Sequence, residues 1–84
     1  MRDKLRHHIL QGLLQELQAA ERNAAQGQTI VDSQRRRAKR LRNISGHDTL
    51  ATRTADTFLD VIENTQWLLE SHVDLMKREV AEAS

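Results

Sequence analysis

The tetrapeptide Gly46-His47-Asp48-Thr49 interrupts an otherwise continuous helical pattern of apolar residues. Apolar side chains recur at intervals of three and four residues from Leu5 to Leu41, and again from Leu50 to Val80. Such spacing places the apolar side chains on one face of a helix. The chain is therefore predicted to form two long helices joined by one turn, which is an all-α antiparallel helical hairpin.

Capping residues set the predicted bounds of the two helices. Gly46 suits the left-handed conformation that commonly ends a helix. Asp48 or Thr49 then supplies a side-chain oxygen for the first free N–H groups of the next helix. We predict a first helix over residues 3–43, a turn over residues 44–48 and a second helix over residues 49–82, in a single domain of residues 1–84.

A heptad frame fits the first helix and predicts the side that faces its partner. Its ten positions, of which eight are apolar, are Leu10, Leu13, Leu17, Ala20, Ala24, Gly27, Val31, Gln34, Ala38 and Leu41. Small residues at its centre would let a partner helix approach closely or insert large side chains. Glycine inside a helix costs about 1 kcal/mol relative to alanine, so a break at Gly27, giving three helices, is the alternative.

The second half carries an apolar face that is too wide for one partner helix. It contains Leu50, Ala51, Ala55, Phe58, Val61, Ile62, Leu68, Leu69, Leu75, Met76 and Val80, with Thr54, Thr65 and His72 alongside. This face fills roughly three of seven heptad positions, whereas a two-helix seam fills two. A second copy would cover the remainder, and we predict a homodimer that forms a four-helix bundle. A different protein partner would cover the same face.

The hairpin core and the dimer interface are predicted to use the large side chains of both helices. These residues are Leu13, Leu17, Val31, Phe58, Val61, Ile62, Leu68, Leu69, His72, Leu75 and Met76. Folding the chain back at the turn sets the bulky segment Trp67-Leu68-Leu69 across from the small residues of the first helix. In that register Leu68 faces Ala24, His72 faces Ala20 and Leu75 faces Leu17. His72 is then expected to be a hydrogen-bonded core histidine.

The most concentrated charge lies in one run of six basic residues, Arg35, Arg36, Arg37, Lys39, Arg40 and Arg42. Residues 1–46 carry ten Lys or Arg and four Asp or Glu, whereas residues 47–84 carry three and eight. The structural interpretation is a basic helix end neutralised by Asp48, Asp56 and Asp60 of the second half. The functional alternative is nucleic-acid or anionic-surface binding through phosphate contacts, although no aromatic residues or DNA-binding motif accompany the run.

Composition argues against catalysis, cofactors and membrane insertion. The chain has no cysteine, and its serines lack the glycine-flanked turn of a hydrolase nucleophile. The four histidines do not have the spacing of a metal site, and an elongated hairpin offers no deep pocket. The apolar run at residues 9–14 is too short for a signal peptide or a membrane span. We expect a cytoplasmic protein with no enzyme activity, no cofactor and no metal.

Histidine on a helical hairpin also fits phosphotransfer to response regulators. Hairpins of that kind usually carry a histidine followed by an acidic residue, with Thr or Asn four residues after the histidine. His47 is followed by Asp48, but residue 51 is alanine, and His72 is followed by Val73. The leading hypothesis is therefore a non-enzymatic protein–protein interaction module, and a phosphotransfer partner is the second alternative.

Several short motifs stand in a fixed order along residues 18–80. They are Ala20-Glu21-Arg22, Gly27, Ile30, Gln34-Arg35, Leu41 and Gly46-His47-Asp48-Thr49, followed by Thr65, Leu68-Leu69, His72 and Arg78-Glu79-Val80. This series resembles a group of short, uncharacterised alphaproteobacterial helical proteins, except that the second-helix motifs lie a few residues further from the turn here. The resemblance implies a helical hairpin, and it implies no chemistry because the group has no known activity.

Overall fold

Two α-helices make up the fold, and the structure, a computed structural model, describes residues 2–84. Helix α1 spans Arg2–Ser45 and helix α2 spans Leu50–Ala83. The helices pack side by side in opposite directions, so the predicted helical hairpin is confirmed. α1 runs without a break through Gly27, and this removes the three-helix alternative. Each helix end lies within two residues of its predicted position.

Hydrogen bonds across residues 46–49 link the end of α1 to the start of α2. Gly46 has a φ of +83°, the left-handed conformation predicted for it, and its N–H donates to the Arg42 carbonyl at 3.0 Å. Thr49 is the N-cap of α2, and its Oγ1 accepts from the Thr52 N–H at 3.2 Å. The buried Thr52 hydroxyl donates to the Gly46 carbonyl at 2.7 Å. The turn thereby fixes where the two helices meet.

The heptad frame predicted for α1 coincides with its buried side. All ten of its residues are buried or half-buried, and Ala20, Val31 and Ala38 are the most enclosed. A repeat that averages 3.5 residues keeps two helices in contact along their whole length. We call these ten residues the α1 seam.

α2 contributes a matching row, the α2 seam. Its residues are Thr52, Ala55, Leu59, Ile62, Gln66, Leu69, Val73, Met76, Val80 and Ala83, all buried or half-buried. The apolar face predicted for the second helix omits five of them, namely Thr52, Leu59, Gln66, Val73 and Ala83. That face therefore contained only part of the contact with α1.

The cross-helix register differs from the predicted one. Ala20 packs with Val73 and Met76, whereas the prediction set it opposite His72. His72 and Leu75, which the prediction placed in the seam, are exposed. Consecutive side chains of a helix point about 100° apart. Assigning the seam to the residue one position before the correct one therefore selects a side chain that lies outside it.

The middle of the seam shows the same displacement. Gln66, and not Leu68, reaches Ala24, where its Nε2 donates to the backbone carbonyl at 2.7 Å. Trp67 and Leu68 are 65% and 61% exposed. The prediction that the bulky segment 67–69 covers the small residues of α1 is therefore correct only for Leu69, which lies beside Gly27.

The hairpin is a rod of 65 × 14 × 13 Å with a radius of gyration of 19.0 Å. A globular domain of the same length would have a radius of gyration of about 12 Å. The buried apolar side chains are correspondingly few, namely Ala20, Val31, Ala38, Val73 and Met76. Ala20, Val73 and Met76 form one cluster, with Leu17 and Ala24 packed against it. Large apolar side chains outside the seam consequently lie at the surface.

Candidate interaction surfaces

A second apolar row runs along α2 beside the seam, and we call it the apolar stripe. It consists of Ala51, Thr54, Phe58, Val61, Thr65, Leu68, His72 and Leu75, all exposed. Each residue of the stripe precedes a seam residue by one position, which rotates it by about 100° from the seam. The four largest apolar members are more than half exposed, with Phe58 and Leu75 at 51%, Val61 at 56% and Leu68 at 61%.

The residues predicted for the core and the dimer interface divide between the two rows. Leu13, Leu17, Val31, Ile62, Leu69 and Met76 lie in the seam, whereas Phe58, Val61, Leu68, His72 and Leu75 lie in the apolar stripe. Because His72 is exposed, the prediction of a core histidine is wrong for the single hairpin. The wide face seen in the sequence is thus two adjacent rows, and α1 covers one of them.

α1 has a corresponding row on the same face of the hairpin, which we call the flanking row. It runs through Ile9, Gly12, Glu16, Ala19, Asn23, Gln26, Ile30, Ser33, Arg37 and Arg40. Arg37 shares an open groove with Phe58, and Asn23 shares another with His72. The flanking row is negative near the open end of the hairpin, positive near the turn and uncharged between.

Ion pairs between the helices lie on the other face. Arg42 Nη2 donates to Asp56 Oδ1 at 2.6 Å, and Arg35 Nε donates to Glu63 Oε1 at 3.1 Å. Asp56 is one of the three acidic residues predicted to neutralise the basic run, whereas Glu63 was not predicted. These side chains are 35–54% exposed, so each pair contributes no more than about 1 kcal/mol.

The remaining four residues of the basic run lie outside the α1 seam. Arg36, Arg37, Lys39 and Arg40 are exposed, and no carboxylate in the described part of the chain forms an ion pair with them. The structural interpretation, a basic helix end neutralised by the second helix, therefore applies to Arg35 and Arg42. The other four cations stay exposed, as the functional alternative requires.

Gln66 occupies the seam where the two helices approach closely. Its Nε2 donates to the Ala24 carbonyl and lies 3.3 Å from Glu70 Oε1. Its Oε1 is buried without a hydrogen-bond partner among residues 2–84 and lies over Gly27, where a Cβ would collide with it. A buried polar residue in an apolar seam commonly fixes register at some cost in stability.

Histidine and carboxylate side chains do not converge in the part of the chain that the structure describes. Within residues 2–84, no group of three or more such side chains would hold a metal ion. His47 is exposed in the turn, and His72 is exposed in the apolar stripe. Neither helix, over those residues, combines the length and apolarity needed to cross a membrane.

Comparisons of the chain with protein-family models, with curated proteins and with solved structures found no match. The surfaces of the hairpin are therefore what points to its function.

Proposed function

We propose that this protein is a non-enzymatic protein–protein interaction module whose partner is a second copy of the same hairpin. The observation that carries the proposal is the exposed apolar stripe of α2. Its residues recur at intervals of three and four, as do those of the α2 seam beside it. In coiled coils and four-helix bundles, apolar rows with this spacing are buried against a neighbouring helix.

Covering the apolar stripe favours association. Full burial of a Val, Leu or Phe side chain contributes about 1.5–3 kcal/mol, so covering one that is half exposed contributes about 1 kcal/mol. A two-fold dimer covers each of these side chains twice. The stripe runs along much of a 65 Å rod, and a second rod with the same row matches it in both length and spacing.

Solution mass, measured by size exclusion with light scattering, tests the proposal. At micromolar concentration the wild-type protein should have twice the 9.7 kDa mass of the chain. Leu68→Glu should reduce the mass to that of one chain, because it places a charge in the covered interface. Circular dichroism should show that the variant keeps its helices, since Leu68 lies outside the seam.

Trp67→Glu is the matched control. Trp67 is 65% exposed and adjacent to Leu68, but it lies outside the apolar stripe, so this variant should remain dimeric. A wild-type mass of one chain from about 1 µM to about 200 µM, or a dimeric Leu68→Glu variant, would contradict the proposed homodimer.

The basic run supports a second candidate function, the binding of nucleic acid or another polyanion. The supporting observation is that Arg36, Arg37, Lys39 and Arg40 are exposed near the turn. Clustered cations of this kind attract phosphates and release their counterions. α2 opposes such binding, because it carries three basic and seven acidic residues, and for this reason polyanion binding ranks second.

A further inference from the structure

We infer that the two copies bind antiparallel, with the turn of one hairpin beside the open end of the other. This inference rests on the proposed homodimer. The two-fold axis crosses the rod at right angles near its middle, so α2 packs on the partner's α2 and α1 packs on the partner's α1. The apolar stripe and the charges of the flanking row both favour this arrangement.

The apolar stripe pairs with itself in the antiparallel dimer. Because α2 spans Leu50–Ala83, an axis between Thr65 and Leu68 overlaps two copies of α2 over their full length. Residues at equal distances from the axis then meet. The pairs are Phe58 with the partner's Leu75, Val61 with the partner's His72, and Thr65 with the partner's Leu68. Each pair joins a residue of the series 51, 58, 65 and 72 to a residue of the series 54, 61, 68 and 75. The a and d positions of an antiparallel coiled coil pair in the same way.

The flanking row supplies complementary charges at the same register. Asn23 of α1 lies level with His72 of α2, and Arg37 lies level with Phe58, because each pair lines one groove. The residue of α1 that is level with the axis, between Thr65 and Leu68 of α2, is consequently Gln28. Glu16 and Arg40 each lie twelve residues from Gln28. Glu16 of one copy therefore meets the partner's Arg40, and this pair forms twice in the dimer.

The parallel arrangement, with turn beside turn, matches these surfaces poorly. Its two-fold axis runs along the rod and sets the apolar stripe over the partner's flanking row. Phe58 then lies over the partner's Arg37, which desolvates a charge without pairing it. Glu79, the next position after the stripe, lies near the partner's Glu16, and like charges facing each other disfavour association.

Charge reversal distinguishes the two orientations. Glu16 and Arg40 are 24 residues apart in one helix, or about 36 Å, so they interact only between copies. Glu16→Arg and Arg40→Glu should each weaken dimerisation about tenfold at low salt. The double variant should restore the wild-type dissociation constant to within about threefold. Sedimentation equilibrium measures all four proteins.

Disulfide formation gives an independent readout, because the chain contains no cysteine. Thr54 and Glu79 lie at equal distances from the axis, so the variant Thr54→Cys/Glu79→Cys should form a covalent dimer on mild oxidation. Neither single variant should do so. In each single variant the two cysteines of the dimer lie about 37 Å apart, well beyond disulfide reach.

The combined outcomes separate the orientation from the dimer itself. Restored affinity in the double reversal together with a covalent double-cysteine dimer supports the antiparallel arrangement. A wild-type dimer in which the two reversals add without compensation, and in which the double-cysteine variant stays non-covalent, overturns the orientation and leaves the homodimer standing. A monomeric wild-type protein overturns both.

Discussion

Gly12 and Gly27 lie in the same helix but in different surroundings. At Gly27 an added Cβ would collide with Gln66 Oε1 and lie 3.1 Å from Leu69 Cδ1. At Gly12 no atom outside the neighbouring helix backbone lies within 4 Å of the added Cβ. The glycine at residue 27 is thus explained by close helix approach, whereas the structure of the hairpin does not require glycine at residue 12.

Alanine at these two positions should have opposite effects on stability. Gly12→Ala should raise the free energy of unfolding by about 0.5–1 kcal/mol, because alanine is the better helix former. Gly27→Ala should lower it by about 1–2 kcal/mol, because overpacking of the seam exceeds the same helical gain. Urea unfolding measures both variants. Equal stabilisation by the two would contradict the close approach at Gly27.

The residues of the turn show which contacts can be predicted from neighbouring residues in the sequence and which cannot. Gly46 and Thr49 were predictable because a C-cap glycine and an N-cap hydroxyl act on the nearest backbone groups. Thr52 was not predictable. Its hydroxyl donates to a carbonyl six residues earlier in the chain, which only the folded turn brings within reach.

At the scale of the helices, α1 and α2 differed in how clearly sequence indicated their buried side. The α1 seam has eight apolar residues in ten, so its period was evident. The α2 seam places polar Thr52 and Gln66 among its buried positions, while the stripe beside it carries Phe58, Leu68 and Leu75. Because the larger apolar residues lie in the stripe, the predicted face followed the stripe and missed part of the seam. A seven-residue spacing through positions 52, 59, 66, 73 and 80 was the signal that would have found it.

Gln66 should lower the stability of α2 packing while specifying its register. Gln66→Leu should raise the free energy of unfolding by about 1 kcal/mol, because it removes the buried Oε1 that has no partner among the described residues. Gln66→Glu has nearly the same shape and should lower the free energy of unfolding by at least 2 kcal/mol, because it buries a charge. Thermal or urea unfolding distinguishes these results. A destabilised Gln66→Leu variant would show that the bond to the Ala24 carbonyl outweighs the unpaired oxygen.

At the scale of the whole molecule, the two helices carry opposite net charge. α1 has ten basic and four acidic residues, whereas α2 has three basic and seven acidic residues. The antiparallel pairing of oppositely charged helices was predictable from this asymmetry. Which cations remain exposed was not, because that depends on the register, which pairs Arg35 with Glu63 and Arg42 with Asp56.

Binding to duplex DNA tests the second candidate function. If the basic run contacts phosphates, Arg36→Gln/Lys39→Gln should weaken binding and reduce the slope of log affinity against log salt by about 2. Both residues lie outside the apolar stripe and the flanking row, so the mass of the protein should not change. Lys77→Gln/Arg78→Gln removes two cations from the opposite end of the rod and should have little effect. A flat anisotropy titration with wild-type protein at low salt would exclude this function.

The start of α1 and the end of α2 lie at the same end of the rod, where Leu5 and Arg6 share a groove with Ala83 and Ser84. A force that pulls the two ends apart therefore acts across the seam, and it separates the seam residues layer by layer toward the turn. Each layer resists with few side-chain contacts, because the seam is one side chain deep. The mechanical strength of the hairpin in this direction depends on its individual layers, whereas its thermal stability depends on their sum.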